Sequence, residues 1–313
     1  MTPAGATRAD AAGEHGDDGA DVHAGASPRG VLYVVATPIG NLGDVTHRAI
    51  DVLRSVPLIA AEDTRLTRRL LDRYDVATRT TSFHARSGPG RLASLIGHLH
   101  GGADLALVTD AGTPAVSDPG GELIAAYAGE GGTVVPVPGA SAVLAAVVAS
   151  GVAGPRWAFE GFLPRTGRER RERLARIAAD DRATVLYEAP GRVAPTLADL
   201  ATACGDARPA AVCRELTKLH ETIERGSIGD LAARAATGDI PARGEFTLVV
   251  GAWAHAARPE AADVAADALS TALAEVERLV AEGRGRSEAA RVVAAATGLP
   301  RRRLYDVHDA KPL

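Results

Sequence analysis

From residue 31 onward, short apolar runs alternate with stretches whose apolar residues recur every three or four positions. Residues 31–37, 58–61, 80–83, 105–109 and 133–137 read as strands, and 45–54, 65–74, 92–99 and 122–128 as the helices between them. Strands that are apolar on both faces and separated by helices predict a mostly parallel sheet covered on both sides. A first α/β domain is therefore expected over 30–138, and a second over 139–253. The second opens with a small-residue helix at 140–149. Its strands are expected at 157–162, 184–187, 210–214 and 246–250, with an Arg-rich helix between the first two and another helix over 193–203. Segments 221–226 and 245–251 are expected to pair as antiparallel neighbours, making this sheet mixed. Residues 254–313 read as an Ala-rich linker with helical propensity to 268, a helix over 287–297 stopped by Gly298 and Pro300, and a short helix over 301–307. Those last two helices suggest a small helix–turn–helix-like unit. Residues 1–29, rich in Ala, Gly and Asp without an apolar period, read as a disordered tail.

The chain has 313 residues, 46% of them hydrophobic, enough for two cores. No apolar stretch approaches the roughly 20 residues that cross a bilayer, and the start lacks the pattern of a signal peptide. Cys204 and Cys213 sit among alanines and valines without metal-ligand spacing, as buried thiols in a reducing compartment would. A soluble, cytoplasmic, metal-free protein is the expectation. A net charge of −4 argues at first against a polyanionic partner. The tail, however, holds five acids and two arginines, so the body is close to neutral and its arginines are clustered. Arg165, Arg168, Arg170, Arg171, Arg173 and Arg176 outnumber Glu169 and Glu172; Arg284, Arg286, Arg291, Arg301, Arg302 and Arg303 outnumber Glu288. Such clusters suit phosphates, although solvated helix faces give the same composition.

Two phosphate-loop readings fail. Gly88-Pro-Gly-Arg-Leu-Ala matches a dinucleotide fingerprint, but it follows the third strand and has proline in the tight turn. A P-loop is excluded because neither of the two lysines, Lys218 and Lys311, follows the required glycine. The strand ends carry the chemistry instead, since ligands of parallel sheets sit beyond carboxyl ends. The first ends in TPIGNLGD (37–44), where Asp44 is expected to cap the next helix, and the second in AEDTR (61–65). The fourth ends in DAGTPAVSDPGG (110–121), an irregular loop whose Asp118 is expected to cap the helix after it. PGASA (138–142) adds a further small-residue turn. Rigid backbone, small residues and one carboxylate suit the hydroxyls and amino groups of a nucleoside-like ligand.

Together with LYEAPGR (186–192), RELTKLHET (214–222) and GEFTLVV (244–250), these segments resemble the tetrapyrrole-methylase superfamily. Within it, the branch that methylates small-subunit ribosomal RNA is most similar. The resemblance spans about 30–253, and 289–306 resembles that branch's small C-terminal helical domain. It implies two α/β domains of the class III methyltransferase type with a cofactor cleft between them, S-adenosylmethionine as cofactor, and a homodimer. The implied reaction is methylation of a cytidine 2′-hydroxyl in 16S ribosomal RNA near the decoding centre, on free RNA or the small ribosomal subunit. Carried over residue by residue, Pro38, Asp110, Gly112, Thr113, Ser141 and Ala142 line the cofactor. Tyr187, Glu215 and Phe246 close it from the second domain. The segment 85–90 departs from the family pattern, which weakens any role for the neighbouring His84.

Such a cofactor brings an already activated methyl group, so no nucleophilic side chain is needed. A base for the ribose hydroxyl would help by about 10²–10⁴-fold. Glu62, Asp63 and Glu188 are candidates, and Lys218 joins them if a dry site lowers its pKa; sequence does not choose. Arg65, Arg192 and Arg214 are expected to hold phosphates near the target, and Arg168, Arg171, Arg301 and Arg302 phosphates farther out. Two other readings stand beside this one: a small-molecule methylase acting on a precorrin-type ring, and a non-enzymatic RNA-binding protein.

Overall fold

The computed structural model describes residues 29–252 and 259–305. Residues 1–28 of the tail expected over 1–29, linker residues 253–258 and the end of the last expected helix lie outside the described residues. The chain divides into two compact units between Ser141 and Ala142.

The first unit runs β1 (Val31–Val35), α1 (His47–Ser55), β2 (Leu58–Ala61), α2 (Thr64–Arg73), β3 (Thr80–Ser82), α3 (Pro89–His100), β4 (Leu105–Val108), α4 (Gly121–Gly129) and β5 (Thr133–Val137). All five strands are parallel, in the order β3-β2-β4-β1-β5. Successive residues face opposite sides of a strand, so continuous apolar runs feed two cores. Ile59, Ala61, Ala106, Val108 and Val35 meet α1 and α2 on one face. Leu32, Val34, Leu58, Ala60, Leu105 and Leu107 meet α3 and α4 on the other. The helices after β1 and β2 therefore turn to one face, and those after β3 and β4 to the opposite face. Because β4 lies between β2 and β1, its carboxyl-end loop emerges between two loops that turn away from it. Such a switch point opens a crevice at the strand ends.

Two expected caps are corrected. Asp44 falls in a 3-10 turn, Leu42–Asp44, and Thr46 caps α1 by accepting from the Ala49 N–H. That turn ends two residues short of the capping position, so Asp44 does not reach it. α4 starts after Gly120 with no side-chain cap, so Asp118 does not serve there either.

The second unit contains α5 (Ala142–Ser150), β6 (Trp157–Phe162), α6 (Gly167–Ala179), β7 (Ala183–Glu188), α7 (Val193–Cys204), β8 (Pro209–Arg214), β9 (Thr222–Ser227), α8 (Ile228–Thr237) and β10 (Phe246–Val250). The sheet order is β6-β7-β10-β8-β9, with β6 and β7 parallel and the other pairs antiparallel. It is mixed, as expected, but β9 does not neighbour β10. Each pairs with a different edge of β8, because the short loop after β8 returns β9 as its hairpin partner. Leu186, Val212, Leu248 and Val250 join α6, α7 and α8 in a core on one face. Arg208 is wholly buried and donates to the carbonyls of Gly251, Ile177, Asp180 and Arg182. Cys204 and Cys213 are buried free thiols, the second pushed up to about 11 by burial.

The C-terminal segment forms α9 (Pro259–Ala281), α10 (Arg286–Thr297) and α11 (Arg301–Tyr305). Val276, Leu279, Ala290, Val293 and Leu304 are part of their common core. The segment read as a linker of helical propensity is helical from Pro259, which adds a third helix to the two expected. Gly298 ends α10 in the left-handed conformation, as its position suggested.

Candidate functional site

The carboxyl ends of β1, β2 and β4 are tied together by reciprocal hydrogen bonds. Glu62 follows β2, and its Oε2 accepts from the Thr109 hydroxyl at 2.7 Å and the Asp110 N–H at 3.3 Å. Asp110 follows β4, and its Oδ1 accepts from the Asp63 N–H at 2.9 Å. Each loop's carboxylate therefore fixes the other loop's backbone. Thr37, at the end of β1, donates its hydroxyl to the Thr109 carbonyl at 3.0 Å. It also exchanges backbone hydrogen bonds with Gly112 at 2.8 and 3.0 Å.

The loop after β4 is held in an uncommon conformation. Gly112 and Gly120 have φ of 84° and 117°, and between them Ala115 and Ser117 are left-handed at 67° each. Non-glycine residues in that region cost about 1–3 kcal/mol each and persist where surrounding structure imposes them. At Gly120 a Cβ would also lie 2.7 Å from the Leu107 side chain. The Thr113 hydroxyl leans toward the Ala140 carbonyl at 3.4 Å, beside the turn that carries Ser141. Pro38 and Gly112 are buried; Asp110 is exposed.

This crevice is acidic, and the acids differ. Burial pushes the Asp110 carboxyl up, helped by Glu62 and opposed by the Asp63 N–H. Asp118 is pushed up to about 6, by burial first and then by Glu62, against a hydrogen bond with Thr109. Asp63 goes the other way: it caps α2, and the Arg65 guanidinium at 2.6 Å holds it well below the usual range. A carboxylate held so low is a poor base, which counts against Asp63 in that role. Glu62 is occupied by its two donors. Asp118 escaped sequence reading because it looked like a cap. Thr37 and Thr109 escaped it because a strand-closing hydroxyl gives no signal of what it will bond.

In the second unit several candidates are committed locally. The Glu188 side chain is 1% exposed. It accepts from the Ala189 N–H at 2.8 Å and the Thr196 hydroxyl at 2.6 Å, and pairs with Arg192 at 3.2 Å. It anchors the start of α7, which corrects its reading as a base. Arg192 also donates to the Leu163 carbonyl at 2.7 Å. Arg214 is buried, donating to the carbonyls of Arg243 and His220 at 2.7 and 3.2 Å. Neither guanidinium is free to hold a phosphate: a charged residue at a strand end was read as exposed, and here each is held by carbonyls of neighbouring loops. Lys218 lies 2.9 Å from Glu215 and 3.1 Å from Glu245. Burial alone would lower its pKa, but the two carboxylates together raise it, so it stays an ammonium instead of becoming a base. Glu215, left-handed at φ 51°, also accepts from the Glu245 N–H at 2.9 Å. Phe246 is buried in the core, leaving only its backbone for a ligand. The Tyr187 ring stands edge-on to Phe159, centroids 4.9 Å apart, and Ala142 begins α5.

Of the outer arginines, Arg168 pairs with Glu172 at 2.5 Å and Arg301 donates to the Ser287 hydroxyl at 2.7 Å. Arg171 and Arg302 are exposed. Among the described residues no group of three or more His, Cys, Asp or Glu is placed to hold a metal, and no helix is long and apolar enough to cross a membrane.

Residues 31–232 match the family of tetrapyrrole (corrin/porphyrin) methylases. A protein of Synechocystis sp. called ribosomal RNA small subunit methyltransferase I is 45% identical, covering 89% of this chain and 97% of its own. A Bacillus subtilis protein of the same name is 40% identical over 92% of this chain and 97% of its own. Among solved structures, a cobalt precorrin-4 methyltransferase superposes with a TM-score of 0.56 at 19% identity, covering 72% of this chain and 98% of its own. A uroporphyrin-III C-methyltransferase from Thermus thermophilus, complexed with S-adenosylhomocysteine, has a TM-score of 0.51 at 18% identity, covering 71% and 97%. These two likenesses concern the fold.

Proposed function

The chain belongs to the tetrapyrrole (corrin/porphyrin) methylase family and, within it, to the ribosomal RNA small subunit methyltransferase I group, and on that premise we propose what it methylates. It is a methyltransferase, and its substrate is the 2′-hydroxyl of a cytidine in 16S ribosomal RNA near the decoding centre, with S-adenosylmethionine as donor. The observation that carries this reading is 40–45% identity to proteins of that name over about nine-tenths of the chain.

The strand-end crevice fits such a donor. One oxygen of the exposed Asp110 carboxylate is occupied by Asp63, which leaves the other to accept from hydroxyls or an amino group. Within the first unit, Pro38, Gly112, Thr113 and Ser141 supply backbone groups, hydroxyls and little bulk. When bound, S-adenosylmethionine supplies a methyl group already activated for displacement.

The protein's own task is alignment, which lowers such a barrier by about 7–11 kcal/mol, together with care of the hydroxyl proton. For that proton Asp118 replaces the candidates read from sequence. Its carboxyl lies partly buried beside Glu62 and Thr109 and is raised to about 6, close to neutrality, where a base gains most. The reading carries a cytoplasmic site of action and a homodimer, for which Leu144 and Val148 of α5, 53% and 83% exposed, offer an apolar surface.

The test is transfer of labelled methyl groups to small ribosomal subunits, and separately to free 16S RNA, from a strain lacking the modification. Label on a ribose 2′-oxygen of one cytidine is expected. Label on a base, or transfer only to a precorrin-type ring, would sink the proposal.

A further inference from the structure

We propose that the outer face of α2, continued by Arg86 and Arg91 at the adjoining strand end, is the surface on which the first unit seats an RNA strand. This rests on the RNA reading above and names the docking surface that reading lacks. Residues 63–91 hold seven arginines against three aspartates, in a chain of net charge −4. α2 buries Thr67, Leu70 and Leu71, which turns Arg65, Arg69 and Arg73 outward on successive turns. Like charges four residues apart repel, so an acid normally relieves them.

Other helices do relieve them: in α6, Arg168 pairs with Glu172 and Arg170 with Asp199, and in α9 Arg278 pairs with Glu275 and Glu282. Among the described residues, in α2 only Arg65 has such a partner, Asp63, and its side chain is still 88% exposed. Arg69 and Arg73 are exposed with no ion pair among the described residues, although Asp72 shares their face.

The patch continues across the rim. Ala61 and Ser82 are neighbours in register, so the loop after β3 emerges beside the start of α2. That loop carries Arg86, and Arg91 follows in the first turn of α3, donating to the Thr81 hydroxyl at 3.2 Å. Both are exposed. The row thus begins at the crevice that holds Glu62, Asp63 and Asp110 and leads away from it. A polyanion laid along it would bring one nucleotide to the crevice and neutralise the repulsion. The acidic crevice itself repels phosphates, which keeps the backbone on this row.

The experiment measures affinity of the full chain for free 16S RNA across a salt series. Each phosphate contact to a single strand contributes about −0.7 to the slope of log affinity against log salt. Replacing Arg69, Arg73, Arg86 and Arg91 by Ala should flatten the slope by up to about 3 units, which is about 50-fold less loss of affinity over a fourfold rise in salt. The pairs Arg69/Arg73 and Arg86/Arg91, changed separately, should each flatten it by up to about 1.4. Lys at the same positions should restore the slope. Affinity for S-adenosylhomocysteine should stay unchanged, which also shows that the variants fold. A wild-type slope in the Ala variants overturns this surface alone, whereas a wild type that binds no RNA overturns the surface and the functional reading together.

Discussion

Glu62 is the side chain whose removal separates holding the crevice from doing chemistry in it. Glu62→Ala removes the 2.7 Å acceptor of the Thr109 hydroxyl and leaves it only the contact with Asp118, and Thr109 is 2% exposed, so water does not readily take over. A buried hydroxyl that loses its acceptor costs at most about 1–3 kcal/mol, and at about 2.1 cal/mol/K of unfolding entropy per residue the middle of that range lowers Tm by about 3 °C for a chain of 313 residues. The same change frees the Asp110 N–H and loosens the carboxylate assigned to the cofactor. Loss of a charged acceptor of that kind is worth about 1.5–3 kcal/mol, or roughly 10–100-fold in Kd for S-adenosylhomocysteine by titration calorimetry. Glu62→Gln keeps an oxygen facing both donors and should recover most of the lost affinity and stability. An Ala variant that binds with wild-type affinity refutes the latch. A Gln variant that binds normally but turns over more than 10²-fold slower makes Glu62 the base.

Three further outcomes are expected. Asp118 stands at about 6 in the fold against an ordinary 3.8, so the folded chain holds this proton where the unfolded chain has released it, and stability falls as pH rises from about 4 to 6. With partial exposure discounting the shift, Asp118→Asn should gain about 1–2 kcal/mol at pH 7 and nothing at pH 4 in urea unfolding, and should lower kcat more than it alters KM; an equal gain at both pH values would contradict the assignment. Arg214→Met strands two carbonyls and should cost about 2–4 kcal/mol in stability while leaving the salt slope of RNA binding unchanged; a flatter slope would return Arg214 to the RNA surface. Gly120→Ala forces φ of 117° and a contact with Leu107 on a side chain that tolerates neither, and should cost about 2–3 kcal/mol by the same unfolding assay.

The first unit was legible because its strands carry apolar residues on both faces, a pattern few other folds produce. What escaped was set by neighbours distant in sequence. Nothing in 221–226 says that β8 is its partner, since antiparallel strands of similar composition pair equally well with several others. α9 was read as linker over its first ten residues because alanine there supplies propensity without an apolar stripe. The site divides in the same way. Strand-end position identified Asp110 and Glu62, because topology makes those positions converge. Charge type alone sent Arg192, Arg214 and Glu188 outward, although each is held by groups that local sequence does not reveal. Asp118 was visible only as a turn residue; its acidity comes from burial beside Glu62, which lies 56 positions earlier.

The strand order β3-β2-β4-β1-β5 also sets a schedule for synthesis. β1 leaves the ribosome first, yet both of its partners, β4 and β5, come more than 70 residues later. At about 5–20 residues per second, this interior strand waits roughly 4–15 s with both edges unpaired. Val31–Val35 is apolar throughout, so during that interval it is the segment of the nascent chain most open to pairing with another chain. β2 and β3 pair with each other in the meantime, but they leave the edge that β4 must fill. The sheet therefore becomes continuous late, when β4 takes its place between β2 and β1, and β5 completes the far edge of β1 after that.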